Sequence, residues 1–158
     1  MPIFPRSMLL GVLLAGSAQG GPAFVDARDY PAPGMGHERF LAAERTLVAG
    51  FDDVCGDTFC EGQYYNLQAM RLRCSVRPAT GEVGSCVWTF AGSEMGVRTS
   101  GRIDVDLGSY ACELPLAAGT PLRQLLEVWE TAGSGHDALH APLPGTTGNT
   151  YDALVDCL

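Results

Sequence analysis

Between Met70 and Val76 every second side chain is apolar: Met70, Leu72, Cys74 and Val76 alternate with Arg71, Arg73 and Ser75. That is the period of a strand with one dry face. After Pro78-Ala79-Thr80-Gly81 the alternation returns as Cys86, Trp88 and Phe90. Counting outward from Thr80 sets Met70 opposite Phe90, Leu72 opposite Trp88 and Cys74 opposite Cys86. One register therefore aligns every large apolar side chain of the pair and brings two cysteines together, which predicts a hairpin stapled by a Cys74–Cys86 bridge.

From His37 the period changes. Phe40, Leu41, Glu44, Leu47, Val48, Phe51 and Val54 recur at three- and four-residue spacing, with Arg39, Arg45 and Asp52 on the other side. This predicts an amphipathic helix of about four to five turns. Gly50 inside it lowers helix propensity by about 1 kcal/mol relative to Ala and marks close packing on a neighbouring element. Ala91 to Gly101, polar and punctuated by glycine, reads as a connection with room for strand-like residues around Val97. Beyond it Ile103, Val105 and Leu107 share one parity, while Tyr110, Cys112 and Leu114 share the other. If all six face the core, a Gly108-Ser109 turn must reverse the chain, pairing Leu107 with Tyr110, Val105 with Cys112 and Ile103 with Leu114. The alternative is one strand carrying a bulge.

After Pro115 the strand signal stops. Thr120 as N-cap with Pro121 behind it starts a helix whose apolar face is Leu122, Leu125, Leu126 and Trp129. Residues 133–148 read as a flexible Gly/Pro/Thr connection. Asn149, with Asp152 three residues on, caps a last short helix with Tyr151, Leu154, Val155 and Leu158 on its apolar face. The fold class expected is α+β: an amphipathic N-terminal helix packed on a three- to four-stranded antiparallel sheet, with two short C-terminal helices, stabilised by disulfides.

The first twenty residues read as a signal peptide. Arg6 precedes the apolar run Met8 to Ala15, and Gly16, Ala18 and Gly20 supply small residues for cleavage. Residues 21–36, rich in Pro and Gly, form an extended lead-in, and 37–158 a single compact domain. Export to a secreted or periplasmic location makes oxidised cysteines the default. Among the six cysteines, proximity favours Cys55–Cys60, periodicity favours Cys74–Cys86, and elimination leaves Cys112–Cys157, a bridge worth about 4 kcal/mol in the chain-entropy model.

Charge narrows the partners. The formal net charge is -8, one unit more negative once Arg6 has left, so phosphate backbones and anionic lipid are repelled. Nucleic acid is not an expected partner, nor is membrane insertion after signal removal. No Ser-centred elbow, phosphate-cradling loop or dinucleotide fingerprint occurs, and no cofactor is implied.

Three groups of residues carry candidate chemistry. His136 and His140, four apart, can converge on zinc with Asp137 beside them, although a helical metalloprotease needs Glu directly after the first His. Asp52, Asp53, Asp57 and Glu61 surround the first disulfide as oxygen ligands without calcium-loop spacing, and Asp104 and Asp106 share one strand face. Arg71, Arg73 and Arg77 line the outer face of the first strand and suit either a carboxylate-bearing ligand or acids across the sheet. The functional expectation is an exported module that binds an unknown protein or small ligand. The competing expectation is a secreted hydrolase, possibly metal-dependent, using His136 or His140 with carboxylates from Asp52, Asp53 or Asp57.

Overall fold

The computed structural model describes residues 23–55 and 64–158. The signal-like segment, Asp57, Glu61 and Cys60, the expected partner of Cys55, lie outside the described residues. Four strands form one antiparallel sheet in chain order: β1 (Val25–Asp26), β2 (Gln68–Val76), β3 (Val83–Val97) and β4 (Ile103–Glu113). Among the described residues four α-helices accompany them, α1 (His37–Cys55), α2 (Leu122–Thr131), α3 (Gly135–His140) and α4 (Thr150–Cys157), and the lead-in holds a 3-10 turn at Ala27–Asp29.

The β2–β3 hairpin keeps most of the expected register. Leu72 stands opposite Trp88 and Cys74 opposite Cys86, and the two cysteines are bonded. Met70 does not face Phe90. A bulge between Ala69 and Arg71 gives that place to Ala69 and leaves Met70 exposed, because one extra residue in a strand shifts everything beyond it by one face. Gly81, at φ +74°, closes the turn by donating its N–H to the Arg77 carbonyl at 2.8 Å.

The core lies between the inner sheet face and the helices. Phe40, Leu47 and Phe51 of α1 are buried at the three- and four-residue spacing read from the sequence. Phe51 meets Trp88 edge-on at 6.2 Å, and Phe90 lies 4.9 Å from both rings. Such aromatic pairs add about 0.5–1.5 kcal/mol each beyond the area they bury. Leu125, Trp129, Leu139 and Leu154 of the C-terminal helices complete the cluster.

Glu44 is the charged member of the buried stripe, and its position has a specific cause. The lead-in supplies β1, which pairs with β2 at Val76 and Ser75, so among the described residues the rest of that β2 edge has no strand beside it. The Leu72 N–H donates instead to Glu44 Oε1 at 2.9 Å. Arg28 donates to Oε2 at 2.7 Å, so a carboxylate that burial alone would penalise is satisfied on both oxygens.

The C-terminal third departs from expectation in three places. Thr120 does not cap α2: its hydroxyl donates to the Ala117 carbonyl at 2.7 Å, and Pro121 takes the cap position without a side-chain hydrogen bond. The supposed flexible connection contains α3, making three short C-terminal helices among the described residues. Ser134 accepts from the Asp137 N–H at its start, and six residues are too few to leave a periodic signal. Asn149 does cap α4, accepting from the Asp152 N–H at 2.8 Å, and Cys157 is bonded to Cys112.

The second hairpin is not made at Gly108-Ser109. Residues 103–113 are one continuous strand paired without a bulge to β3, from Val97 opposite Ile103 to Val87 opposite Glu113. The reversal lies at residues 98–102, and Ala91 to Val97, read as a connection, extends β3. The two apolar sets lie on opposite faces of β4: Cys112 and Leu114 are buried, whereas Ile103, Val105 and Leu107 are exposed.

Candidate functional site

The distal part of β3 and β4 is an arm that leaves the body at a definite place. Gly92 and Gly108 stand opposite each other in the register, and the buried Tyr64 ring fills the space that their side chains would occupy. A methyl group on Gly92 would come within 2.8 Å of Tyr64 Cβ, and one on Gly108 within 2.4 Å of Tyr64 Cε2. Tyr64 is thus the last core residue under the arm, and its hydroxyl donates to Asp106 Oδ2 at 3.2 Å. Burial first, then the Asp106 carboxylate, holds the phenol above the ordinary tyrosine range. Farther out, a methyl group on Gly96 would meet nothing within 4 Å.

Beyond that point the two faces of the arm differ in chemistry. The register sets Val97 beside Ile103, Met95 beside Val105 and Ser93 beside Leu107, so five apolar side chains form one contiguous outer patch. All are exposed, Ile103 least at 56% and Val97 most at 75%. The opposite face carries Glu94 directly across from Asp106. Asp104 on that face takes Arg98, and Arg102 lies 3.7 Å away. Sequence reasoning assigned Ile103, Val105 and Leu107 to the core; their outward aim is the correction that uncovers this patch. The signal was the parity conflict between Leu107 and Tyr110, which an unbroken strand resolves by being apolar on different faces at its two ends.

The histidine pair is brought together, but in a stacked form. The His136 and His140 rings lie 4.3 Å apart, tilted by 23°, and His140 stacks in turn on Tyr151 at 4.4 Å. His140 Nδ1 lies 2.9 Å from the His136 carbonyl oxygen. Asp137 accepts from the Ser134 hydroxyl at 2.7 Å, and its other oxygen is 4.0 Å from His136 Nδ1. Among the described residues no ion pair links either histidine to Asp52 or Asp53 of α1, and no group of three His, Cys, Asp or Glu could hold a metal ion.

The arginine row separates into individual contacts. Arg73 lies 3.3 Å from Asp26 and Arg77 3.8 Å from Glu82, while the Arg77 guanidinium also sits 4.9 Å over the Phe24 ring. Arg71 is exposed on the same sheet face. A cavity of 940 Å³ borders this region, lined by Val25, Asp29, Pro31, Pro33, Arg77 and Pro78 among others. Its polar rim is already engaged, because Asp29 accepts from the Gly34 N–H at 2.8 Å.

The bridges bear on stability more than on chemistry. Cys55 is disulfide-bonded, and none of the described cysteines is a free thiol. No helix among the described residues is long and apolar enough to cross a membrane. Comparison with protein-family models, with curated proteins and with solved structures finds no match.

Proposed function

We propose that this chain is an exported binding module that docks a protein partner on the outer face of the β3–β4 arm. The observation that carries the reading is the contiguous exposed patch of Met95, Val97, Ile103, Val105 and Leu107. Large apolar side chains scattered singly over a surface are ordinary, whereas a contiguous group of them marks a candidate interaction site. It also sits on a projecting element, where a partner reaches it without displacing the core. Arg6 before an apolar run and the oxidised cysteines support export to a secreted or periplasmic location.

The hydrolase reading has less support. A hydrolytic site of that kind needs the histidine within hydrogen-bond reach of its carboxylate partner, whereas among the described residues the ion pair of these histidines is His136 with its neighbour Asp137 at 4.0 Å and none joins Asp52 or Asp53. The test compares the mature wild-type chain with a V97S/V105S/L107S variant as immobilised baits for the exported fraction. A partner held by the wild type and lost by the variant, with both chains unfolding at the same temperature, is the expected result. Equal retention by both baits, or a hydrolytic activity abolished by His140→Ala in a folded chain, overturns the reading.

A further inference from the structure

We infer that the partner joins the sheet as an added strand: a cationic segment alternating apolar and basic residues pairs along the open edge of β4. This rests on the binding reading above and specifies the partner's chemistry.

β4 is the last strand of the sheet, with β3 on one side only among the described residues. The direction of its backbone groups follows from the two ends of the ladder. The Arg98 N–H donates to the Arg102 carbonyl and the Leu114 N–H to the Cys86 carbonyl, each at 2.9 Å. The register between them is unbroken, and bonded pairs recur at every second residue of an antiparallel ladder. Even-numbered residues of β4 therefore bond to β3. Ile103, Val105, Leu107 and Ser109 turn their N–H and C=O groups to the open side, which is the template that strand addition requires.

The same odd-numbered residues carry the exposed apolar side chains, so backbone pairing and apolar burial are offered together. An added strand would set one alternate set of its side chains beside Ile103, Val105 and Leu107, widening the apolar face. The other set would fall beside Asp104 and Asp106. Asp106 already faces Glu94 across the ladder, and two directly opposed carboxylates repel; a lysine or arginine laid next to them relieves that repulsion. The net charge of -8 draws a cationic segment and opposes a second copy. Antiparallel pairing of two copies about Val105 would also set the Asp104 position of one against the Asp106 position of the other.

The test uses the mature chain and a nine-residue peptide alternating valine and lysine, with a valine–glutamate peptide of the same pattern as control. The valine–lysine peptide is expected to slow amide exchange at Ile103, Val105, Leu107 and Ser109, and to leave the even-numbered neighbours, already bonded to β3, unchanged. Leu107→Pro removes an edge-facing donor, a change edge strands tolerate; it is expected to weaken binding at least tenfold beyond Leu107→Ala. The exchange pattern of the wild type decides the matter even if Leu107→Pro does not fold. Equal binding of the glutamate peptide, or protection without the odd-residue pattern, overturns the proposal. So does concentration-dependent dimerisation that protects the same amides without peptide, or binding to phosphatidylcholine vesicles in its place. If a captured partner is lost with V97S/V105S/L107S but indifferent to a folded Leu107→Pro, strand addition fails and the docking-face reading stands.

Discussion

Gly50 of α1 and Gly135 of α3 meet backbone to backbone. A methyl group on Gly50 would stand 2.2 Å from the Gly135 carbonyl oxygen, and one on Gly135 would stand 2.4 Å from the Gly50 nitrogen. Gly50→Ala should therefore destabilise by about 1–3 kcal/mol or more through overpacking, against a propensity gain of about 1 kcal/mol for removing a helical glycine. Gly96→Ala, in open space, should stay within about 0.5 kcal/mol of wild type. Denaturant midpoints check both, and a stabilised Gly50→Ala would show that the two helices separate easily.

Glu44 holds α1 to the β2 edge and to Arg28. Glu44→Ala leaves the partly buried Arg28 guanidinium and the buried Leu72 N–H without their acceptor, a loss of up to about 3–5 kcal/mol. Glu44→Gln keeps an oxygen for the Leu72 N–H and should lose less. Equal losses for the two variants would mean that the charge is immaterial.

Tyr64 sets an alkaline limit. Its phenol is raised by burial and by Asp106, so the folded chain holds that proton more tightly than the unfolded chain. The contribution to stability is intact below the ordinary tyrosine value of about 10 and is lost as pH rises from there through the folded value. Tyr64→Phe keeps the ring over Gly92 and Gly108 and should flatten the alkaline limb of the stability profile. Parallel losses in wild type and Tyr64→Phe would place the limit elsewhere.

Zinc should leave the thermal midpoint unchanged. Ligand nitrogens must converge on the metal at about 2.0–2.1 Å, and lone pairs lie in the ring planes. The nearly parallel His136 and His140 rings, 4.3 Å apart, would have to unstack to do this. A zinc-dependent rise in midpoint that His140→Ala removes would show that they do.

The first hairpin was legible because its apolar residues alternate on one face and the cysteines confirm the count. The helix from His37 was legible for the same reason at a longer period, and Gly50 was correctly read as a contact. Ile103, Val105 and Leu107 were misread because alternation reveals that a face is apolar, not whether anything covers it. Only the length of β3, hidden by the glycines and polar residues of Ala91 to Gly101, reveals that this part of β4 has left the body. Glu44 looked like one more member of the helical stripe; its two partners come from segments 16 and 28 residues away, beyond the reach of any local pattern.

Both strands of the arm are moored at its foot by covalent bonds. Cys86 ties β3 to β2, and Cys112 ties β4 to α4. A tug on Ile103 to Leu107 can unzip the ladder pair by pair, but at Cys112 the load passes into a sulfur bridge and on to the last helix. The arm's two strands thus keep a covalent hold on the body even where their own ladder has opened.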